Sequence, residues 1–545
     1  MPTILLDTSD ATLWQRALQW VMRQSGERSP RVHWVVLASF PQARATAASL
    51  GWLNEATWSQ LPFGSMAGLH RVESTVGSTL WCIGEEGRER ELSAKADVIV
   101  TDRPERLPRL RRFSHGETQF LGLPAEALPP YLVAQEEGCA VFRRSAANEV
   151  TVPPQDVTLI GGGLAGAMVA YALSQRGVKT TLFDAGMTPG SGASALFAGL
   201  FHPHWQASDS PLFRLTRIGF RLMQPLIDEF PDCFIPCGVL DMASSETEYA
   251  EWERHYAANA PIAMPADFVQ LLDAPAASDV AGAALPRGGW YFPRAGLVHA
   301  GRLVRRLLEA AQTRVLSNQE VKLRRSEQGW QICTPQGALL QETSTVVLCA
   351  AMGIPALLDL SREALGLSPL GGRISLLSHA PTGLGKVTAL TGQGYFVKVG
   401  NAFAAIGATY EPEHQVWTST DAHAHNMALL SGLFADEQCT GVIPAGFYQG
   451  VRAVCLDRLP LVGPGLTARS IEHCYFRGVP EVEKLPTEKG LWVCGAFGSR
   501  GLTWGMACAD HVASLIMGEA SVLDRSLAEA LHPGRFLAAR LVRKD

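Results

Sequence analysis

The residues of this chain whose types and spacing could do chemistry are, first of all, glycines and one acid. Gly161, Gly163 and Gly166 follow directly on the apolar run Val157 to Ile160, and Asp184 lies 18 residues beyond Gly166. In a Gly-x-Gly-x-x-Gly spacing the first glycine lets the chain turn off a strand and the second lets backbone approach a pyrophosphate. The third lets helix and strand pack closely, so that the phosphates rest on the unpaired N–H groups of the helix N-terminus. An acid placed like Asp184 accepts from a ribose 2′-hydroxyl and argues against a 2′-phosphate, which leaves FAD or NAD as the dinucleotide.

Two further glycine clusters follow. Gly190-Ser-Gly192-Ala-Ser194 comes soon after the acid, and Leu491-Trp-Val-Cys-Gly495-Ala-Phe-Gly498-Ser-Arg500-Gly501-Leu502 leads into a helix through His511. The second is again strand, turn and helix, and it offers N–H groups where an anionic flavin pyrimidine edge would gain from them. His202 and His204 are close in sequence, but no third ligand accompanies them, and loop residues are the expected reading rather than a metal site. Neither Gly-x-Ser-x-Gly nor His-Glu-x-x-His occurs, so hydrolase classes have no support.

The elements that must position these residues read as an α/β protein. Strands are expected at Val157–Ile160, Thr180–Asp184 and Thr345–Ala350, with helices at Leu164–Arg176 and Ala300–Ala311. Upstream, strands at Arg31–Ser39 and Ala96–Asp102 flank a helix at Ala43–Leu53. The polar stretch Ala146–Asp156 contains Pro153-Pro154 and sets the boundary between a small α/β domain, residues 1–150, and a larger one, residues 151–545. The run Val157–Leu173 is apolar enough to suggest a membrane span, but its four glycines describe a strand, turn and helix better. With 47 basic against 52 acidic side chains the formal charge is -5, so any nucleic-acid contact needs a local basic patch. Eleven cysteines without a Cys-x-x-Cys pair, and no leader at the N-terminus, read as a reduced, cytoplasmic protein with no zinc framework.

From Val157 onward the chain resembles the glycine oxidase and D-amino acid oxidase superfamily of FAD enzymes. Within it, it is most similar to the oxidoreductase half of the bifunctional tRNA 5-methylaminomethyl-2-thiouridine biosynthesis family. The segments that carry this are Gly192-Ala-Ser194, Cys237-Gly-Val-Leu240, Phe292-Pro-Arg-Ala-Gly296-Leu-Val-His299, Ile406-Gly-Ala-Thr409-Tyr410, Val451-Arg452, Asp457-Arg-Leu-Pro460-Leu-Val-Gly463, Gly498-Ser-Arg500-Gly501-Leu502 and His532-Pro-Gly-Arg535. The resemblance implies a Rossmann-type FAD-binding domain with an inserted α+β substrate domain. It also implies FAD held by Gly161, Gly163, Gly166, Asp184, Gly192, Ser194, Gly498, Ser499, Gly501 and Leu502, and no metal. The activity it implies is oxidative removal of the carboxymethyl group of 5-carboxymethylaminomethyl-uridine at the tRNA wobble position, releasing glyoxylate, with tRNA as partner and no membrane. Arg452 matches the position where glycine oxidases bind the substrate carboxylate, and Arg500 sits in the loop that faces the flavin. A guanidinium grips a carboxylate through two parallel hydrogen bonds, and Tyr395 or Tyr410 could add a hydroxyl. The chain departs from the family at Ala195-Leu-Phe197 and at Gly371-Gly372-Arg373, where the family has Arg-Gly-Gln.

The N-terminal half of that family is a methyltransferase. Here its glycine-rich loop corresponds to Leu6-Asp7-Thr-Ser-Asp-Ala-Thr12-Leu-Trp14, shortened and without glycine, so a degenerate methyltransferase-like domain with no methyl transfer is expected, leaving that step to a separate downstream enzyme. Two basic runs, Arg103, Arg106, Arg109, Arg111 and Arg112, and Arg535, Arg540, Arg543 and Lys544, are candidate phosphate contacts. Three alternatives stay open at this point: a small-molecule amino acid or secondary-amine oxidase, a catalytically silent flavin-bound tRNA-binding protein, and a still-bifunctional enzyme.

Overall fold

The computed structural model describes residues 3–25, 32–37, 40–51, 68–74, 77–83, 96, 98–103, 106–110, 113, 118–123, 132–136, 139–142, 153–203, 210–257, 266, 268–385, 387–401 and 403–542. The chain forms two compact units, one of residues 1–153 with 513–528 and one of residues 154–512 with 529–545.

The first unit is an α/β layer built on an eight-stranded sheet. Its parallel centre runs through Gly77–Ile83, Val32–Val36, Thr3–Leu6, Val98–Val100 and Gln119–Leu121. The edges are antiparallel, Gly68–Ser74 on one side and the hairpin Leu132–Glu136/Cys139–Phe142 on the other. Fully buried strands read as continuous apolar runs, and Ile4, Leu6, Val32, Trp34, Val98 and Val100 form the core with Trp14 and Val21 of helix Ala11–Ser25. The turn after Thr3–Leu6 is closed by its own side chains: the Trp14 indole donates to the Thr8 carbonyl (2.8 Å), and buried Asp7 pairs with buried Arg106 (2.8 Å). Arg106 therefore drops out of the candidate phosphate contacts, because its charge is spent inside the unit. Arg111, Arg112, Arg543 and Lys544 lie outside the described residues.

The larger unit holds a six-stranded sheet in the order Arg314–Leu316, Lys179–Phe183, Asp156–Ile160, Val346–Leu348, Leu491–Gly495, Leu461–Pro464. All neighbours are parallel except the last pair. Helix Leu164–Ser174 carries the chain from strand Asp156–Ile160 to its parallel neighbour Lys179–Phe183, and is apolar on all sides because it is covered on all sides, Ala165 through Leu173 being buried. Each sequence-expected strand and helix of this sheet is present within one to two residues of its expected bounds.

A second, larger sheet is mostly antiparallel. Its spine is the long ladder Leu367–Leu377/Pro444–Cys455, flanked by Phe403–Gly407, Tyr395–Val399, Val387–Thr391 and Val239–Met242. Its core is Leu240, Leu390, Phe396, Ile406, Leu430 and Phe434. Helix Pro211–Glu229 starts at the Ser210 cap, whose hydroxyl accepts from the Phe213 N–H (3.2 Å), with proline at the first helical position. Its Gly219 lies so close to the C-terminal glycine turn that an added Cβ would stand 2.0 Å from the Thr503 carbonyl oxygen. Gly219→Ala is therefore expected to cost about 1–3 kcal/mol of stability. Thermal unfolding checks this, and an unchanged Tm contradicts so tight a helix contact.

Candidate active site

Both glycine turns sit at the C-terminal ends of parallel strands, where open α/β sheets bind ligands. Gly161 has φ +110°, and a Cβ there would stand 2.6 Å from the Cys349 carbonyl oxygen; at Gly166 it would stand 2.0 Å from the Gly161 carbonyl oxygen. The turn is thus closed by backbone, and only glycine fits it. The Ser194 hydroxyl accepts from the Leu164 N–H (3.1 Å) at the start of the following helix, and the Tyr448 hydroxyl donates to the Gly192 carbonyl (2.6 Å). Asp184 follows directly on its strand, and its Oδ2 lies 2.7 Å from the Cβ position of Gly162, over the glycine turn. At the far turn Gly498 has φ +57°, its N–H donates to the Ala453 carbonyl (3.0 Å), and Gly501 opens helix Gly501–Met517. Leu502 turns its side chain inward against Gly199, so it can offer a ligand only backbone.

One cavity of about 500 Å³ runs from the first turn to the last. Gly163, Ser194, Gly498, Ser499, Gly501, Leu502, Arg452 and Arg500 all line it, whereas Gly161, Gly166, Asp184 and Gly192 shape its walls from behind or lie beyond them. Tyr395, Tyr410, Tyr448 and Gly372 also line it.

Arg452 is placed by the long ladder. It stands opposite Leu370, so its diagonal neighbour on the same face is Gly372. Its Nη2 donates to the carbonyls of Gly371 (3.0 Å) and Thr409 (3.1 Å). A Cβ on residue 372 would stand 2.2 Å from that nitrogen, so glycine is what admits the guanidinium. Its Cζ lies 4.9 Å from the centre of the Tyr410 ring. Arg500 lies 5.3 Å from the Trp504 ring, and its buried Nε donates to nothing among the described residues. Burial pulls the pKa of both arginines down while Tyr410 pushes it up, and from so high a starting value both stay charged at neutral pH. Among the described residues neither forms an ion pair. The cavity thus brings two guanidiniums together, with the Glu411 carboxylate near enough to Arg452 for its charge to be felt.

Of the two tyrosines, Tyr395 spends its hydroxyl on the Ala198 carbonyl, and burial pushes its pKa up. Tyr410, 60% exposed, is the one that meets Arg452. Sequence reasoning passed through Gly372 and Thr409 without giving either a role and missed Tyr448; a glycine diagonal to Arg452 was the available signal, but it needs the strand register to be seen. His202 bonds its own neighbour, Nδ1 to the Pro203 carbonyl (2.9 Å), and no metal-binding cluster occurs among the described residues. Arg535 is a structural pin rather than a phosphate contact: it binds Asp457 through Nε (2.8 Å) and Nη2 (3.0 Å) and donates to the carbonyls of Leu459 and Pro460. No described helix is long and apolar enough to cross a membrane.

The glycine turns, the acid at the end of strand Lys179–Phe183 and the helix N-termini at both ends of the cavity fit a flavin dinucleotide. Comparison with known proteins agrees. The chain is 34% identical over 417 residues to the tRNA 5-methylaminomethyl-2-thiouridine biosynthesis bifunctional protein MnmC of Ralstonia nicotianae, covering 73% of this chain and 63% of that one. It is 28% identical over 510 residues to the protein of the same name from Aeromonas hydrophila, covering 90% and 72%. The chain thus spans about three fifths of the length of the first curated relatives it matches. Glycine oxidase from Geobacillus kaustophilus shares the fold, with a TM-score of 0.56 at 23% identity over 70% of this chain and 98% of that one. The FAD dependent oxidoreductase family, DAO, matches residues 156–515, and the chain belongs to that family.

Proposed function

We propose that the protein oxidises a carboxylate-bearing secondary amine, and that this amine is the carboxymethylaminomethyl group of a tRNA wobble uridine. The observation that carries the first half is the pair Arg452 and Arg500, neither in an ion pair among the described residues, in one cavity with the glycine turns. The second half rests on the relatives named for tRNA 5-methylaminomethyl-2-thiouridine biosynthesis.

When bound, FAD supplies the two-electron acceptor. Gly161, Gly163, Gly166 and the N-terminus of helix Leu164–Ser174 would hold its pyrophosphate, Asp184 its ribose, and the turn Gly498–Leu502 its ring. The protein's own work is orientation. Arg452 and Arg500 grip the carboxylate, and the Tyr410 hydroxyl adds a third contact, so that the adjacent methylene is held in the cavity at a fixed distance. The substrate R–NH–CH2–COO⁻ gives up two electrons and two protons and becomes the imine R–N=CH–COO⁻. Water then adds to the imine and releases R–NH2, the 5-aminomethyl-uridine, and glyoxylate. No side chain is needed as base if the amine enters unprotonated.

We also infer that the first unit is a methyltransferase-like scaffold without methyl transfer, left to a separate enzyme. Its parallel centre with an antiparallel hairpin at one edge supports that reading, as does the turn after Thr3–Leu6, closed by Trp14 and the Asp7–Arg106 pair. In steady-state assays with tRNA carrying the carboxymethyl group, one glyoxylate per modified uridine is expected, with 5-aminomethyl-uridine in the digested tRNA. Oxidation of free glycine or sarcosine with intact tRNA would move the protein to small-molecule amine oxidation.

A further inference from the structure

On the face of the long ladder opposite to the cavity, Arg373, Glu411 and Thr409 form a closed group. The ladder alternates: Gly372, Gly450 and Arg452 point to the cavity side, and Arg373 with its partner Gln449 to the other. The Arg373 N–H donates to the Thr409 hydroxyl (2.7 Å), and the Thr409 N–H donates to the Arg373 carbonyl (3.1 Å). The Thr409 hydroxyl in turn donates to Glu411 Oε1. Arg373 Nη1 binds Glu411 Oε2 (3.2 Å), with side chains only 19% and 12% exposed, and also donates to the Trp417 carbonyl (3.1 Å). Asn426, buried, fixes the Arg373 carbonyl from helix Ser419–Ala428 (3.0 Å). Thr409 is fully buried, and its remaining polar group, the carbonyl, faces the other way and accepts from Arg452.

We propose that Arg373 and Glu411, acting through Thr409, are positioning residues that set the Arg452 guanidinium for its carboxylate. The inference rests on the reading of Arg452 given above. Two consequences follow from the bonds. Thr409 is held at both its N–H and its hydroxyl, so the carbonyl that aims Arg452 is rigid. Glu411, the carboxylate whose charge Arg452 feels, is engaged by Arg373 and Thr409, which leaves Arg452 available to an incoming anion. The group occupies the Gly371-Gly372-Arg373 segment, where Gly372 on one face admits Arg452 and a cation on the other holds its support.

The test uses the FAD-loaded full-length protein and acetate as the carboxylate probe, with acetamide as the neutral control, binding being read from the change in flavin absorbance. Thr409→Val and Glu411→Gln should each raise the acetate Kd about five- to tenfold, the effect of one weakened charge-assisted hydrogen bond, and leave acetamide unchanged. Arg373→Gln should do the same and Arg373→Lys should restore most of the affinity. In an Arg452→Ala background Thr409→Val should add nothing, which a merely structural effect would not produce. Flavin content and Tm identify any variant that fails to fold, and Glu411→Gln, nearly isosteric, serves if Thr409→Val does not. If Arg452→Ala weakens acetate but Thr409→Val and Glu411→Gln do not, the positioning role is wrong. If Arg452→Ala leaves acetate binding unchanged, the carboxylate reading itself falls, and this inference with it.

Discussion

Arg452→Ala is expected to lower kcat/KM for the carboxylate-bearing amine by about two to three orders of magnitude, while the protein still purifies yellow. The size follows from what is lost: a half-buried guanidinium aimed by two carbonyls forms charge-assisted bonds with a carboxylate in a cavity that screens little. Truncating one side of such a pair costs about 3–4 kcal/mol. The flavin is retained because Arg452 belongs to the long ladder and its hydrogen bonds go to the Gly371 and Thr409 carbonyls, not to the glycine turns that would hold the dinucleotide. Arg452→Lys should recover only part of the loss, since an ammonium cannot keep both carbonyl bonds and a bidentate grip. Steady-state kinetics with equal flavin content check the prediction, and a loss below about fivefold would remove Arg452 from the site.

Gly166→Ala is expected to abolish flavin binding in the purified protein. A Cβ at residue 166 would stand 2.0 Å from the Gly161 carbonyl oxygen and 3.4 Å from Leu182. The oxygen belongs to the turn that carries the phosphates, so relief comes only by lifting helix Leu164–Ser174 off the strand or by opening the turn. Either moves the N–H groups off the pyrophosphate. A colourless protein is the predicted result, with a Tm that no longer rises with added FAD as ligand-linked stability requires. Full flavin content in Gly166→Ala would show that the turn is not the dinucleotide site.

The parts of this fold that could be read from sequence are those in which neighbours in the chain are neighbours in space. Strand, turn, helix, strand and acid from Asp156 to Asp184 are one local unit, and glycine spacing with apolar runs describes it completely. The long ladder is different. Leu367–Leu377 pairs with Pro444–Cys455 across some seventy residues, and only that register shows that Gly372 lies beside Arg452 and that Arg373 faces away from it. Tyr395 and Tyr410 are equally plausible as sequence; the Ala198 carbonyl, brought from the bend before strand Gly199–Phe201, decides between them. The basic runs misled for the same reason. Arg106 and Arg535 look like surface charge until Asp7 and Asp457 are brought to them by tertiary contacts.

The central claim is that this cavity oxidises a carboxylate-bearing amine on tRNA. Its most direct test is anaerobic stopped-flow absorbance of the FAD-loaded protein mixed with tRNA carrying the carboxymethylaminomethyl group, with glycine as the control. The account predicts that the oxidised flavin band bleaches with the tRNA and not with glycine. Bleaching by glycine alone, or a yellow protein that neither reduces, would contradict it.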